Sequence, residues 1–233
     1  MTDGVRYVLL SHLLRGGAPV WPGNAPAAEV ELVESIARGE PANMSRLVLQ
    51  SHSGTHVDSP WHFNPDGPAA WQLPIAAFVF DAPALVDVPK RDGGFITTAD
   101  LEPHATAFER ADIAFLATGW GRHRGTDGER YANAGPLLHP DAARWLIDTH
   151  PGLRAIATDA ISIGSPRERA ASVETHRVLT GVGRSDGRFV LIYEDVRIVP
   201  EVGRARRVFG WPLLVEGADG SPVTLVAEIP EES

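Results

Sequence analysis

Short apolar runs, mostly bounded by Gly, Pro, Asp or Asn, recur along the chain and predict strands at 7–10, 29–33, 47–50, 77–80, 84–88, 113–117, 155–158, 189–193, 213–215 and 223–227. Helical periodicity is rarer. Residues 140–149 place Ala142, Trp145, Leu146 and Thr149 on one face, Thr98-Ala99-Asp100-Leu101 reads as a helix start, and 173–179 carries Glu174 near its beginning, where the helix dipole favours a negative charge. Many strands with three or so helices predict an α/β or α+β domain with a sheet-rich core.

One polar run stands out against this pattern. His52, His56, Asp58 and His62 occupy even-numbered positions in Ser51-His52-Ser53-Gly54-Thr55-His56-Val57-Asp58-Ser59-Pro60-Trp61-His62-Phe63. In an extended chain, alternate side chains face the same way, so His52, His56 and Asp58 converge, with side-chain-free Gly54 leaving room between them. A helix is opposed by Gly54, Thr55, Val57 and Pro60. Two imidazoles and a carboxylate so placed form a metal site, and their N and O donors suit zinc, manganese or iron. Pro60 bends the chain before His62. That places its imidazole beside the metal as a proton carrier, with a fourth ligand as the competing reading.

A second ion would need further donors. Glu194 follows the apolar run 189–193, and a carboxylate at the end of a buried strand is costly unless it is paired or bound to metal. His176, taken alone, reads as a surface histidine, and His12, His104, His123, His139 and His150 as structural or solvated ones.

Composition narrows the field. The 233 residues suit one domain over 1–233, without linker, low-complexity tract or repeat. A net charge of -9 without a sustained basic stripe argues against nucleic acid. Apolar runs of strand length and no signal-like N-terminus argue against a membrane and for a soluble, cytoplasmic protein. With no cysteine there is neither a disulfide nor a thiolate nucleophile, and no Gly-x-Ser-x-Gly elbow occurs.

The run from His52 to Phe63 resembles the signature of the cyclase-like metal-dependent hydrolases, which include bacterial kynurenine formamidases and isatin hydrolases. Ser11-His12 with Pro19-Val20-Trp21-Pro22-Gly23, Thr118-Gly119-Trp120 with Tyr131, and Asp159-Ala160-Ile161-Ser162-Ile163 leading to His176 extend the match over nearly the whole chain. The resemblance implies a swivelling β/β/α fold, a homodimer or higher oligomer, and one or two divalent ions, zinc foremost and manganese next. It implies a first ion on His52, His56 and Asp58, with Asp58 bridging to a second ion completed by His176 and Glu194. His62 falls on the catalytic histidine, and Trp21 on an aromatic residue lining the substrate pocket. The connection 181–188 between His176 and Glu194 is longer than in the formamidases, and Glu194 stands where isatin hydrolase has an amide.

The expected chemistry is hydrolysis of a small-molecule amide C–N bond by a metal-activated water, with His62 protonating the departing amine. An aryl formamide such as N-formylkynurenine comes first, then an isatin-type cyclic amide, then a lactone or cyclase substrate of secondary metabolism. A metal-stabilised binding protein would need His52, His56 and Asp58 but not His62.

Overall fold

The central strands form where the sequence is continuously apolar, as expected for a sheet covered on both faces. In a computed structural model describing residues 4–231, the main sheet runs in the order Val79–Phe80, Arg207–Pro212, Gly220–Pro230, His56–Asp58, Leu191–Glu194, Ala155–Thr158, Ile113–Ala117 and Pro83–Asp87, with Val5–Leu9 added against Gly220–Pro230. The last four strands of that order are mutually parallel; His56–Asp58 pairs antiparallel with both of its neighbours. The first three residues and the last two of the predicted domain lie outside the described residues.

Strand alternation divides the interior into two cores. Val86, Ala114, Leu116, Ile156 and Ile192 point to one side, where they pack with residues of the helices Ala105–Arg110, Pro140–Thr149 and Arg169–Leu179. Ile113, Phe115, Ala155, Ala157, Leu191 and Tyr193 point to the other, against Val208, Leu225, Ala227 and Ile229 of the antiparallel strands. The result is the β/β/α layering expected from the resemblance, a mixed α/β fold with a sheet-rich core. No helix among the described residues is long and apolar enough to cross a membrane.

Several elements differ from expectation. The run 213–215 is not a strand; Leu213, Leu214 and Val215 are exposed, and the strand is Arg207–Pro212 just before them. In Pro140–Thr149 the buried stripe is Ala142, Ala143, Leu146 and Ile147, turned away from Thr149. The helix expected over 173–179 begins at Arg169 and buries Ser172, Thr175, His176 and Leu179. Its inward stripe is mostly polar, so apolar periodicity could not mark its start. A separate hairpin, Ala28–Glu34 with Met44–Leu49, stands off the main sheet.

Candidate metal centre and active site

The site lies at the junction of His56–Asp58 and Leu191–Glu194, where Glu194 pairs with His56 and Ile192 with Asp58. Val57 and Tyr193 belong to the core against the antiparallel strands, so His56, Asp58 and Glu194 face the other way, toward the helix carrying His176. His52 reaches the group by a different route from the one expected. Only His56–Asp58 is extended, and His52 lies in a turn. Gly54 is required there for its backbone: its φ is 60°, and a Cβ would stand 2.9 Å from Leu14 Cδ1. His52 Nδ1 nonetheless lies 2.8 Å from Asp58 Oδ1.

Two imidazoles are fixed from behind. His56 Nδ1 donates to the Gly54 carbonyl at 2.8 Å and His176 Nδ1 to the Ser172 carbonyl at 2.7 Å, which leaves each Nε2 facing the centre. His56 Nε2 is 3.4 Å from both Asp58 Oδ1 and Glu194 Oε2, and His176 Nε2 is 3.3 Å from Glu194 Oε1 and 3.7 Å from Asp58 Oδ2. His176 is buried rather than a surface residue. Glu194 Oε1 also accepts from Ser162 Oγ at 2.8 Å and Ile163 N at 2.6 Å.

The residue after Glu194 is braced as well. Asp195 has a φ of 51°, the single positive value outside glycine among the described residues, and such a conformation persists only when its surroundings impose it. Arg124 grips both of its carboxylate oxygens at 2.6 Å, and the Tyr131 hydroxyl donates to Oδ1 at 2.6 Å. That hydroxyl also reaches the Asp159 carbonyl at 3.1 Å, so the segments containing Tyr131 and Asp159 support the strand end from which Glu194 projects.

Burying two neighbouring carboxylates is costly without nearby positive charge. Burial favours the protonated form of Asp58, yet His62 and His52 hold its pKa well below the usual range. Burial and the Asp58 charge push Glu194 upward, but His176 and His56 pull it below its ordinary value. Burial pushes His52 toward the neutral ring, but Asp58 and Asp219 raise it to about 9. His56 is raised in the same way by Asp58 and Glu194, and His176 by Glu194 and Asp58, each against burial.

The donor set fits a divalent cation. His56 Nε2 and Asp58 Oδ2 are buried, aimed at the centre and without a hydrogen bond. His52, His56 and Asp58 form one group that could hold an ion and Asp58, His176 and Glu194 a second, with Asp58 common to both.

His62 sits on the short turn Pro60–His62 beside the centre, its ring 3.9 Å from that of His52, centroid to centroid. Phe63 packs edge-on to His62 and stacks on His176. A cavity of about 490 Å³ opens onto these groups, and Trp21, His62, Phe63 and Val173 are among its walls. Asp219 carries no site signal in the sequence. Its Oδ2 accepts from His52 Nε2 at 2.9 Å and His62 Nδ1 at 2.7 Å, and these contacts hold its carboxyl well below the usual range against partial burial. In sequence, Gly217-Ala218-Asp219-Gly220 looks like any turn aspartate. Gly220 was the available sign of a close approach, since a Cβ there would meet His52 Cε1 at 2.7 Å.

This fold and donor set define a metal-dependent hydrolase with a divalent-metal centre. The sequence profile of the Cyclase family matches residues 8–165, and the chain belongs to that family. It is 29% identical over 226 residues to a kynurenine formamidase of Maricaulis maris, covering 93% of this chain and 95% of that one. Its fold is similar to that of isatin hydrolase A from Labrenzia aggregata, with a TM-score of 0.81, 22% identity, and coverage of 98% of this chain and 95% of that one. A structure described as a potential metal-dependent hydrolase with cyclase activity matches with a TM-score of 0.71 at 24% identity, over 98% of this chain and all of the other.

Proposed function

We propose that this enzyme hydrolyses the C–N bond of an aryl formamide, with N-formylkynurenine as the preferred substrate. The observation that carries the reading is the convergence of His52, His56, Asp58, His176 and Glu194, all but Asp58 lining a cavity that His62 and Trp21 also line. Similarity to a kynurenine formamidase over nearly the whole chain supports the choice of formamide.

His52, His56 and Asp58 would hold one ion, and Asp58, His176 and Glu194 a second, zinc being the first choice and manganese the next. When bound, such an ion lowers the pKa of a coordinated water to about 7 and polarises a carbonyl oxygen. Glu194, a charged group rather than an amide, favours two cations over one. His62 takes the proton of the attacking water on Nε2, since Nδ1 is engaged by Asp219, and delivers it to the departing nitrogen so that the amine leaves neutral. Trp21 offers its ring to the flat aryl group, a contact that adds affinity without moving a proton.

The protein acts as a homodimer or a higher homo-oligomer in this reading. Support comes from the hairpin, where Val30 and Leu47 pair directly and are 66% and 59% exposed. An apolar surface of this kind marks an interaction site. The fold's likeness to isatin hydrolase A favours a cyclic amide as the second substrate class.

A hydrolysis screen of formamides, cyclic amides and lactones with defined metals tests the substrate assignment. N-formylkynurenine should be cleaved faster than isatin or a simple lactone, and Trp21→Ala should raise KM more than it lowers kcat. Turnover of isatin with none of the formamide would reverse the assignment.

A further inference from the structure

We propose that Asp219 is the positioning residue of His62, fixing its imidazole as the Nδ1–H tautomer and turning Nε2 toward the cavity. The inference rests on the role given to His62 above. A carboxylate only accepts hydrogen bonds, so the 2.7 Å contact between Asp219 Oδ2 and His62 Nδ1 requires the proton on Nδ1. In the neutral ring the lone pair then lies on Nε2, the nitrogen that must take a proton from water. Without that contact the ring could choose either tautomer and rotate.

The clasp is built from two directions. The Asp219 carbonyl accepts from Ser59 N at 3.2 Å and from Ser59 Oγ, which ties it to the residue preceding Pro60–His62. The same Oδ2 accepts from His52 Nε2 at 2.9 Å, leaving His52 Nδ1 on the Asp58 side. One oxygen thereby fixes the spacing between a candidate ligand ring and the proton carrier. Gly220 lets the main chain come this close, because a Cβ there would collide with His52. A carboxylate with a side-chain exposure of 34% adds little to stability as an ion pair, so its expected effect is on rate.

The test is a double-mutant cycle on zinc-loaded enzyme with N-formylkynurenine as substrate, comparing wild type, Asp219→Ala, His62→Ala and the double variant, with zinc content measured for each. Asp219→Ala should lower kcat roughly a hundredfold with KM changed less than about threefold, and should lower it less than about threefold when His62 is already Ala. Long-range 1H–15N spectra, which need no turnover, should show His62 as the Nδ1–H tautomer in wild type and a loss of that signature in Asp219→Ala. Asp219→Asn keeps the side-chain shape if the Ala variant folds poorly, and should lower kcat in the wild-type background alone. Equal losses in both backgrounds, or an unchanged His62 tautomer, would overturn the proposal. Full activity of His62→Ala would instead remove the His62 role itself, and this inference with it.

Discussion

The junction of His56–Asp58 with Leu191–Glu194 buries two carboxylates and two imidazoles, whereas the hairpin of Ala28–Glu34 and Met44–Leu49 leaves Val30, Leu32, Met44, Leu47 and Val48 exposed. The two regions depart from the usual inside-outside arrangement in opposite directions. At the junction, the two buried rings and Glu194 are braced from behind, His56 by Gly54, His176 by Ser172 and Glu194 by Ser162 and Ile163, while Asp219 holds His52 and His62 beside them. The hairpin is held by its own ladder, by the Arg46–Glu31 ion pair and by Arg38 on the Leu32 and Val33 carbonyls, and it packs no apolar face into either core. A braced polar interior suits a small cation, and the exposed apolar side chains that alternate with Glu and Arg along the hairpin suit, in the reading proposed above, a second protein surface.

The comparison breaks most sharply at Asp58. Replacing it by Ala removes the carboxylate shared by both ligand groups and should abolish both metal retention and turnover, read by metal analysis and a hydrolysis assay. An active, metal-loaded Asp58→Ala protein would show that the buried charges serve another end. Next in size is His62→Ala, which should cost turnover on the order of a hundredfold while leaving metal content near normal. Loss of metal in that variant would make His62 a ligand and move the proton carrier elsewhere. At the hairpin, Leu47→Glu should convert a dimer to monomers in light scattering without unfolding the chain, since the side chain is largely exposed within one copy. A wild-type monomer, or a dimer indifferent to the charge, would detach the hairpin from assembly.

The contrast also explains what was legible in the sequence. Ile113–Ala117 and Ala155–Thr158 are legible in the sequence with their observed bounds because a strand buried on both faces is apolar throughout. The helix Pro140–Thr149 was equally clear, with Pro140 at its first turn and His139 as its cap. Ligand-type residues at regular spacing made His52, His56 and Asp58 visible, although the fully extended geometry assumed for them holds only over His56–Asp58. Arg207–Pro212 is not legible in the sequence because Gly210 and Pro212 interrupt its alternation, while the apolar run 213–215 mimics a strand in the exposed segment beyond. Gly210 is a packing requirement: a Cβ would stand 2.7 Å from the Tyr193 ring and hydroxyl. His176 was obscured by its own helix, whose inward stripe is Ser, Thr and His before it reaches Leu179. Asp219 lies 157 positions from His62, and no local pattern links them.

Metal titration of the chelator-treated protein tests the central claim most directly. Adding zinc or manganese, followed by calorimetry and by metal analysis after dialysis, should give saturation at one to two ions per chain and a rise in melting temperature. The sign of the pH dependence follows from the rings. With His52 raised to about 9, and His56 and His176 also raised, an ion must displace protons at neutral pH. Affinity should therefore climb as pH rises toward about 9 and fall as it drops, by about tenfold per unit for each proton displaced. A chain that takes up neither metal, or whose melting temperature ignores both, would contradict the account.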